Sequence, residues 1–292
     1  MPANRLPIIG HPLSSSALEG VLRAAFGAGG NAIEIERWER RPHQLADALK
    51  EARAGDDFVG ALIASPHKEK APPLSDWLSD DARVSGAVNV FARVEGRLRG
   101  YNSDADGVRA GLTALLPRVK GKWPRNAVVL GAGGGARAVV SVLIGSGFQH
   151  VAVLNRHLHR AEALVAHFSR AARNMELRAR PWHDAIIEAE LARAEVLINA
   201  SGVGAEGESP IPAGLLPANR FVLDLILAQT TPLMEEAISN DGSATNGQGA
   251  FLASAAATVK VLTGSAPKAD TLRAALANEL GVPEETLAVV GD

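Results

Sequence analysis

Asn126-Ala-Val-Val-Leu130 is apolar after its first residue, and it runs directly into Gly131-Ala-Gly133-Gly-Gly-Ala136. An apolar, helix-like stretch follows, Val139-Val-Ser-Val-Leu143. Strand, glycine turn and helix in that order are the setting in which GxGxxA carries meaning. The glycines permit a tight turn and let the backbone approach a pyrophosphate, which then sits at a helix N-terminus. The segment therefore predicts a parallel βαβ unit that binds a dinucleotide. About twenty residues on, where such a unit places its ribose-reading residue, a second strand, Val151-Ala-Val-Leu154, ends at Asn155-Arg156. An acidic residue there would bond the ribose hydroxyls of NAD, whereas an arginine suits the extra phosphate of NADP. The expected cofactor is NADP, with NAD kept as the alternative.

At 292 residues the chain has room for two domains. Its 47% hydrophobic and 21% charged content is that of an ordinary globular protein. A net charge of −2 gives no reason to expect nucleic acid or an anionic membrane as partner. With no cysteine, disulfides, thiolate metal sites and a cysteine nucleophile are excluded. No His-Glu-x-x-His or comparable spacing suggests a metal. The start, Met1-Pro-Ala-Asn-Arg5, lacks a secretory pattern, and no apolar run has the length of a membrane span. The expectation is a cytoplasmic protein, a monomer or homodimer.

Short apolar runs alternate with helical patterns, which predicts an α/β chain with mainly parallel sheets. Leu6–Ile9, Ala32–Ile35 and Phe58–Ile63 read as strands, and Glu95-Gly96 between Val88–Val94 and Arg97–Tyr101 signals a hairpin. After the glycine turn, Val151–Leu154, Val196–Asn199 and Phe221–Leu225 extend the nucleotide-binding sheet. The cofactor module begins near residue 107, so the preceding α/β unit reads as a substrate domain. The expected active site is the cleft between the two, since ligand pockets favour domain interfaces. The alanine-rich Ala250–Thr263 reads as a helix stopped by Gly264.

Three polar segments lie where strands end in the first domain: Pro66-His-Lys68-Glu, Gly86-Ala-Val-Asn89 and Tyr101-Asn102-Ser-Asp104. Ligands bind at such ends. A lysine and an aspartate brought together there can move a proton. Taken singly, Lys68 is equally a solvated loop residue, and Ser103 or Asp104 equally a helix cap. His67 reads as a surface residue, as do His157 and His159. Ser201, at a strand end, reads as shaping the nicotinamide pocket.

These motifs, taken with Gly10-His-Pro-Leu-Ser-Ser-Ser16, Asn155-Arg156, Asn199-Ala-Ser201 and Gly247, are similar in order and spacing to the shikimate dehydrogenase family. The resemblance covers residues 6 to about 264 in the family's order. It implies reduction of 3-dehydroshikimate with NADPH on a substrate-binding domain (1–106, completed by helices within 248–292) and a Rossmann-type domain (107–247). Lys68 matches the family's catalytic lysine and Asp104 its partner aspartate. Asn89 matches a residue that holds a ring hydroxyl. The cofactor contacts it implies are Gly131, Ala132, Gly133, Gly134, Gly135, Asn155, Arg156, Arg160, Ser201, Leu225 and Gly247. The implied partner is a small cyclic hydroxy acid.

The substrate end departs from the family. Its two carboxylate-binding serines fall on Ser14 and Ser16 in one register, or on Ser16 and Leu18 in another. Its Asn-Val-Thr is Leu62-Ile63-Ala64 here, its tyrosine falls on Leu227, its methionine on Ala250 and its glutamine on Ser254. Ser14, Ser16, Asn89 and Ser254 are the substrate-binding candidates. A lost bond to a substrate hydroxyl costs roughly 1–3 kcal/mol where a polar group is left unpaired. The departures therefore predict kept chemistry with a shifted substrate. Two further readings are a dehydrogenase of quinate, an aminated shikimate or another alcohol using NAD or NADP, and a nucleotide-binding paralogue that no longer turns over.

Overall fold

The computed structural model describes residues 4–13, 16–116 and 124–287. Ser14 lies outside the described residues. The chain divides into two compact units, Met1–Asp106 with Leu252–Leu287, and Gly107–Phe251.

The first unit holds β1 (Asn4–Gly10), α1 (Ala17–Ala28), β2 (Ile33–Glu39), α2 (Leu45–Arg53), β3 (Gly60–Ile63), β4 (Trp77–Leu78), α3 (Asp80–Ser85), β5 (Val90–Val94) and β6 (Arg97–Tyr101), and then the start of α4 (Asp104–Leu115). They form one six-stranded sheet in the order β2-β1-β3-β5-β6-β4. β1 pairs in parallel with β2 and β3, while β3–β5 and β5–β6 are antiparallel. β4–β6 is parallel as well, so the sheet is mainly parallel as expected, with the hairpin at Glu95-Gly96 supplying one of its two antiparallel pairs. Both turn residues of the hairpin have positive φ, 52° and 75°. Phe58 falls outside β3 and makes only an isolated bridge to Arg5. β3 is buried throughout, and Ile9, Phe91 and Leu98 of the same sheet pack with Leu45 and Leu49 of α2. Burying each such side chain contributes about 1.5–3 kcal/mol.

The second unit runs β7 (Asn126–Leu130), α5 (Gly134–Gly145), β8 (His150–Asn155), α6 (Leu158–Phe168), β9 (Glu176–Pro181), α7 (Asp184–Arg193), β10 (Val196–Asn199), β11 (Phe221–Asp224), α8 (Pro232–Ser239) and β12 (Ser243–Thr245). Its sheet is wholly parallel in the order β12-β11-β10-β7-β8-β9. Numbered from β7, that is 6-5-4-1-2-3, the doubly wound dinucleotide fold, with its switch point between β7 and β10. Helices cover both faces, so the central strands are apolar without alternation. Val128 and Leu130 of β7 and Leu197 of β10 pack in one core with Ile187 and Leu191 of α7. The chain returns to the first unit within α9 (Gln248–Thr263), and α10 (Ala269–Leu280) follows. Gly264 ends α9 with φ 77°. No described helix is long and apolar enough to cross a membrane.

Candidate active site

In the first unit, β3 ends at Ile63 and a tight turn carries the chain to Lys68. Ala64 N–H donates to the Ile9 carbonyl at 2.8 Å and His67 N–H to the Ala64 carbonyl at 3.0 Å, while the Lys68 carbonyl accepts from Val88 N–H at 2.9 Å. These bonds fix the lysine backbone against β1 and the start of β5. Asp104 is brought from the other side, as the first residue of α4. Lys68 Nζ donates to Asp104 Oδ2 at 2.6 Å, and both side chains are only about one-fifth exposed, 19% and 21%. Two residues far apart in sequence and weak alone are a charge-assisted hydrogen-bonded pair.

The second oxygen of Asp104 is held as well. Asn89 Nδ2 donates to Asp104 Oδ1 at 2.9 Å and to Ser103 Oγ at 2.9 Å, and Asn89 Oδ1 accepts from Ser103 N–H at 2.8 Å. Ser103 Oγ lies 3.1 Å from Ser254 Oγ and 2.9 Å from Thr258 Oγ1, both on α9. Thr258 Oγ1 also bonds the Ser254 carbonyl at 2.9 Å. The structure therefore assembles Lys68, Asp104, Asn89 and Ser254 into one network. The joining residues are Ser103, which the sequence presents as a cap, and Thr258, which it does not single out. The signal for Thr258 is its i+4 spacing from Ser254, which puts both on one helix face. Chemically, Asp104 holds the ammonium of a lysine that has three N–H donors. Such a lysine can give a proton to a substrate oxygen or take one from it.

One expectation needs correction. His67 is not a surface residue: it is 0% exposed. Its Nε2 lies 2.7 Å from the Arg40 carbonyl and its Nδ1 is buried without a partner. Burial holds its pKa below the ordinary 6.5; Lys70 and His11 act in the same sense, and the carbonyls of Arg40 and Arg41 oppose it. Ser16 stands before α1 but makes no side-chain cap. Its hydroxyl donates to Glu279 Oε2 on α10 at 3.1 Å. Leu62 is buried at 2% exposure within β3.

In the second unit the glycine turn follows β7 as expected. Gly131 has φ 104°, and a Cβ there would lie 2.6 Å from the Ala200 carbonyl oxygen. Only glycine fits. Ala132 and Gly134 are buried, and Gly133 stands at the N-cap of α5 in extended conformation. Helix-start N–H groups have no partner inside the helix and attract anions. A Cβ at Gly135 would meet nothing within 4 Å, so that face is open. At the end of β8, Asn155 Nδ2 donates to the His157 carbonyl at 2.9 Å, closing the turn that carries exposed Arg156. Arg160 follows in the first turn of α6. The residues present fit a dinucleotide with a 2′-phosphate: a glycine cradle at a helix start, and arginines in place of an acid.

At the ends of β10 and β11 lies a buried network of which the sequence announces only Asn199 and Ser201. Asn199 Nδ2 donates to the Val203 carbonyl at 2.8 Å and to Asp224 Oδ1 at 2.8 Å. Asn199 Oδ1 accepts from Ser201 N–H at 3.1 Å and Ser201 Oγ at 2.6 Å. Thr231 Oγ1 donates to Asp224 Oδ2 at 2.7 Å. Burial pushes the Asp224 carboxyl up, and the bonds from Thr231, Asn199 and the Ile226 amide oppose that. Leu225 N–H donates to the Asn199 carbonyl at 3.0 Å. Gly247 packs so closely that a Cβ would lie 2.6 Å from the Leu225 carbonyl carbon.

The model of the shikimate dehydrogenase substrate binding domain matches residues 8–91, and that of shikimate / quinate 5-dehydrogenase matches residues 117–205. A shikimate dehydrogenase (NADP(+)) of Symbiobacterium thermophilum is 34% identical over 288 residues, 97% of each chain. The chain belongs to the shikimate dehydrogenase family. Among solved structures, shikimate 5-dehydrogenase of Thermus thermophilus in complex with NADP(H) and shikimate has a TM-score of 0.77 at 31% identity, covering 94% of this chain and 99% of that one. A 5-ketofructose reductase of Gluconobacter sp. strain CHM43, in its ligand-free form, has a TM-score of 0.77 at 26% identity, with 94% and 98% covered. The substrate-domain match ends at residue 91, so it includes Lys68 and Asn89, and the second match includes the glycine turn and Arg156.

Proposed function

We propose that this chain is an NADP-dependent dehydrogenase. It moves a hydride reversibly between the cofactor and a hydroxyl-bearing carbon of shikimate or a related cyclic hydroxy acid. The observation that carries the reading is the Lys68–Asp104 pair at 2.6 Å, its carboxylate held at the other oxygen by Asn89. NADP, when bound, supplies or takes up the hydride. Lys68 Nζ gives a proton to the substrate oxygen in reduction and receives it in oxidation. Asp104 keeps the amine aimed, and Asn89 and Ser103 keep Asp104 aimed. Ser103 in turn is fixed by Ser254 and Thr258, so α9 supports the pair through hydroxyls rather than packing alone. The NADP-named relative at 34% identity and the arginine after β8 support NADP over NAD.

A second reading concerns the substrate and rests on how the recognition positions are used. The Ser16 hydroxyl bonds Glu279, the Ser254 hydroxyl bonds Ser103, and Leu62 is buried. Redirecting the part-buried Ser254 hydroxyl to a ligand would cost its bond to Ser103, and Leu62 offers a ligand no polar group. This favours a family alcohol other than shikimate itself, with quinate, an aminated shikimate or a polyol as candidates. The purified protein with NADP and with NAD, against shikimate, quinate and related alcohols, separates these by nicotinamide absorbance. Turnover of shikimate as the preferred alcohol rejects the shifted-substrate reading, and no turnover of any alcohol with either cofactor rejects the enzyme.

A further inference from the structure

We propose that the Asp224 carboxylate sets the relative affinity of the cofactor site for the two redox forms of its ligand, favouring the oxidised, cationic nicotinamide over the reduced, neutral one. The inference rests on the NADP reading above and on the topology of the second unit.

The placement follows from strand order. The glycine turn after β7 takes the pyrophosphate, and Arg156 after β8 takes the adenosine end with its 2′-phosphate. The sheet continues on the other side of β7 through β10 and β11. The nicotinamide half therefore lies toward the ends of those two strands, where Asn199, Ser201 and Asp224 stand. The end of β10 is in contact with the cradle: Ala200 N–H donates to the Leu130 carbonyl at 2.9 Å, and Gly131 has no room for a Cβ against Ala200.

The hydrogen bonds assign the charge. Both hydrogens of the Asn199 amide go to acceptors, the Val203 carbonyl and Asp224 Oδ1, while its oxygen accepts from Ser201. The Thr231 hydroxyl accepts from Met234 N–H at 3.3 Å and donates to Asp224 Oδ2 at 2.7 Å. With the Ile226 amide, three donors thus face the Asp224 carboxyl and favour its ionised form, against the burial that pushes it up. Asp224 is 0% exposed, so its charge is screened by neither water nor salt. An unscreened negative charge attracts a pyridinium ring and is indifferent to the neutral dihydropyridine.

The test is titration of the purified protein with NADP+ and with NADPH by calorimetry, parent against Asp224→Asn. The expected result is a loss of about tenfold in NADP+ affinity with less than about threefold for NADPH, the scale of one charge–charge interaction inside a protein. Equal losses for both forms would make Asp224 a purely structural support and overturn the proposal, as would no change in either. A parent that binds neither form overturns the cofactor reading instead. Should Asp224→Asn be unfolded by circular dichroism, the parent decides. A buried charge keeps the NADP+ to NADPH affinity ratio constant between about 0.05 and 0.5 M salt. A ratio that collapses with salt assigns the preference to exposed charges and overturns the proposal.

Discussion

Arg156 and His67 are two residues whose meaning depends on what lies next to them. Arg156 is legible because the strand and glycine turn before it give a single surface position a specific job. Replacing Arg156 by Ala removes a charge-assisted bond worth about 1.5–3 kcal/mol to a phosphate. NADPH binding should weaken roughly ten- to a hundredfold, with NADH little changed; equal weakening of both in a fluorescence titration would deny it the 2′-phosphate. His67 is misleading in the sequence because Pro-His-Lys-Glu is polar and looks like a solvated loop. Only the tertiary fold brings the Arg40 carbonyl within 2.7 Å of its Nε2. Its folded pKa lies below the unfolded 6.5, so the native state holds the imidazole neutral while the unfolded chain takes up a proton. Stability from this group is present above pH 6.5 and lost as pH falls through the folded value. Urea midpoints should therefore drop between about pH 7 and 5 more steeply for the parent than for His67→Gln. Parallel profiles would contradict this.

Strands buried on both faces announce themselves as apolar runs, which is why β3, β7, β8, β10 and β11 are legible. β9 is not: Glu-Leu-Arg-Ala-Arg-Pro is an edge strand with polar side chains, and its register comes from β8 rather than from its own pattern. β4 and β12, two and three residues long, carry no period at all. The glycine turn itself separates two kinds of glycine. Gly131→Ala meets the Ala200 carbonyl and a positive φ, and should cost about 1–3 kcal/mol of stability as well as cofactor affinity. Gly135→Ala meets nothing in the protein and lies within a helix. It should leave stability unchanged or raised by up to about 1 kcal/mol, yet weaken dinucleotide binding, since that open space is the proposed seat of the pyrophosphate. Paired thermal melts and NADPH titrations check this; a Gly135→Ala protein that binds NADPH as the parent does would move the pyrophosphate elsewhere.

Taken as a whole, the molecule has one unit for each half of the chemistry. The cofactor unit is readable because dinucleotide binding is done by backbone and sheet order, which leave glycines and apolar runs in the sequence. The substrate unit is readable only at Lys68, Asn89 and Asp104. Its supporting hydroxyls on Ser103, Ser254 and Thr258 come from distant segments, with separations of 151 and 155 residues, which no local pattern predicts. The proposed recognition positions are no easier to read: the Ser16 hydroxyl bonds Glu279, 263 residues away, and Leu62 is buried in the core. The proposed role of Lys68 is to move the proton that accompanies hydride transfer. The direct measurement is kcat of Lys68→Ala against the parent, on the alcohol the parent turns over best, with NADPH affinity measured alongside. The expected result is a fall of about a hundred- to ten-thousandfold in kcat with NADPH binding unchanged; a variant that turns over at the parent's rate would deny Lys68 that role.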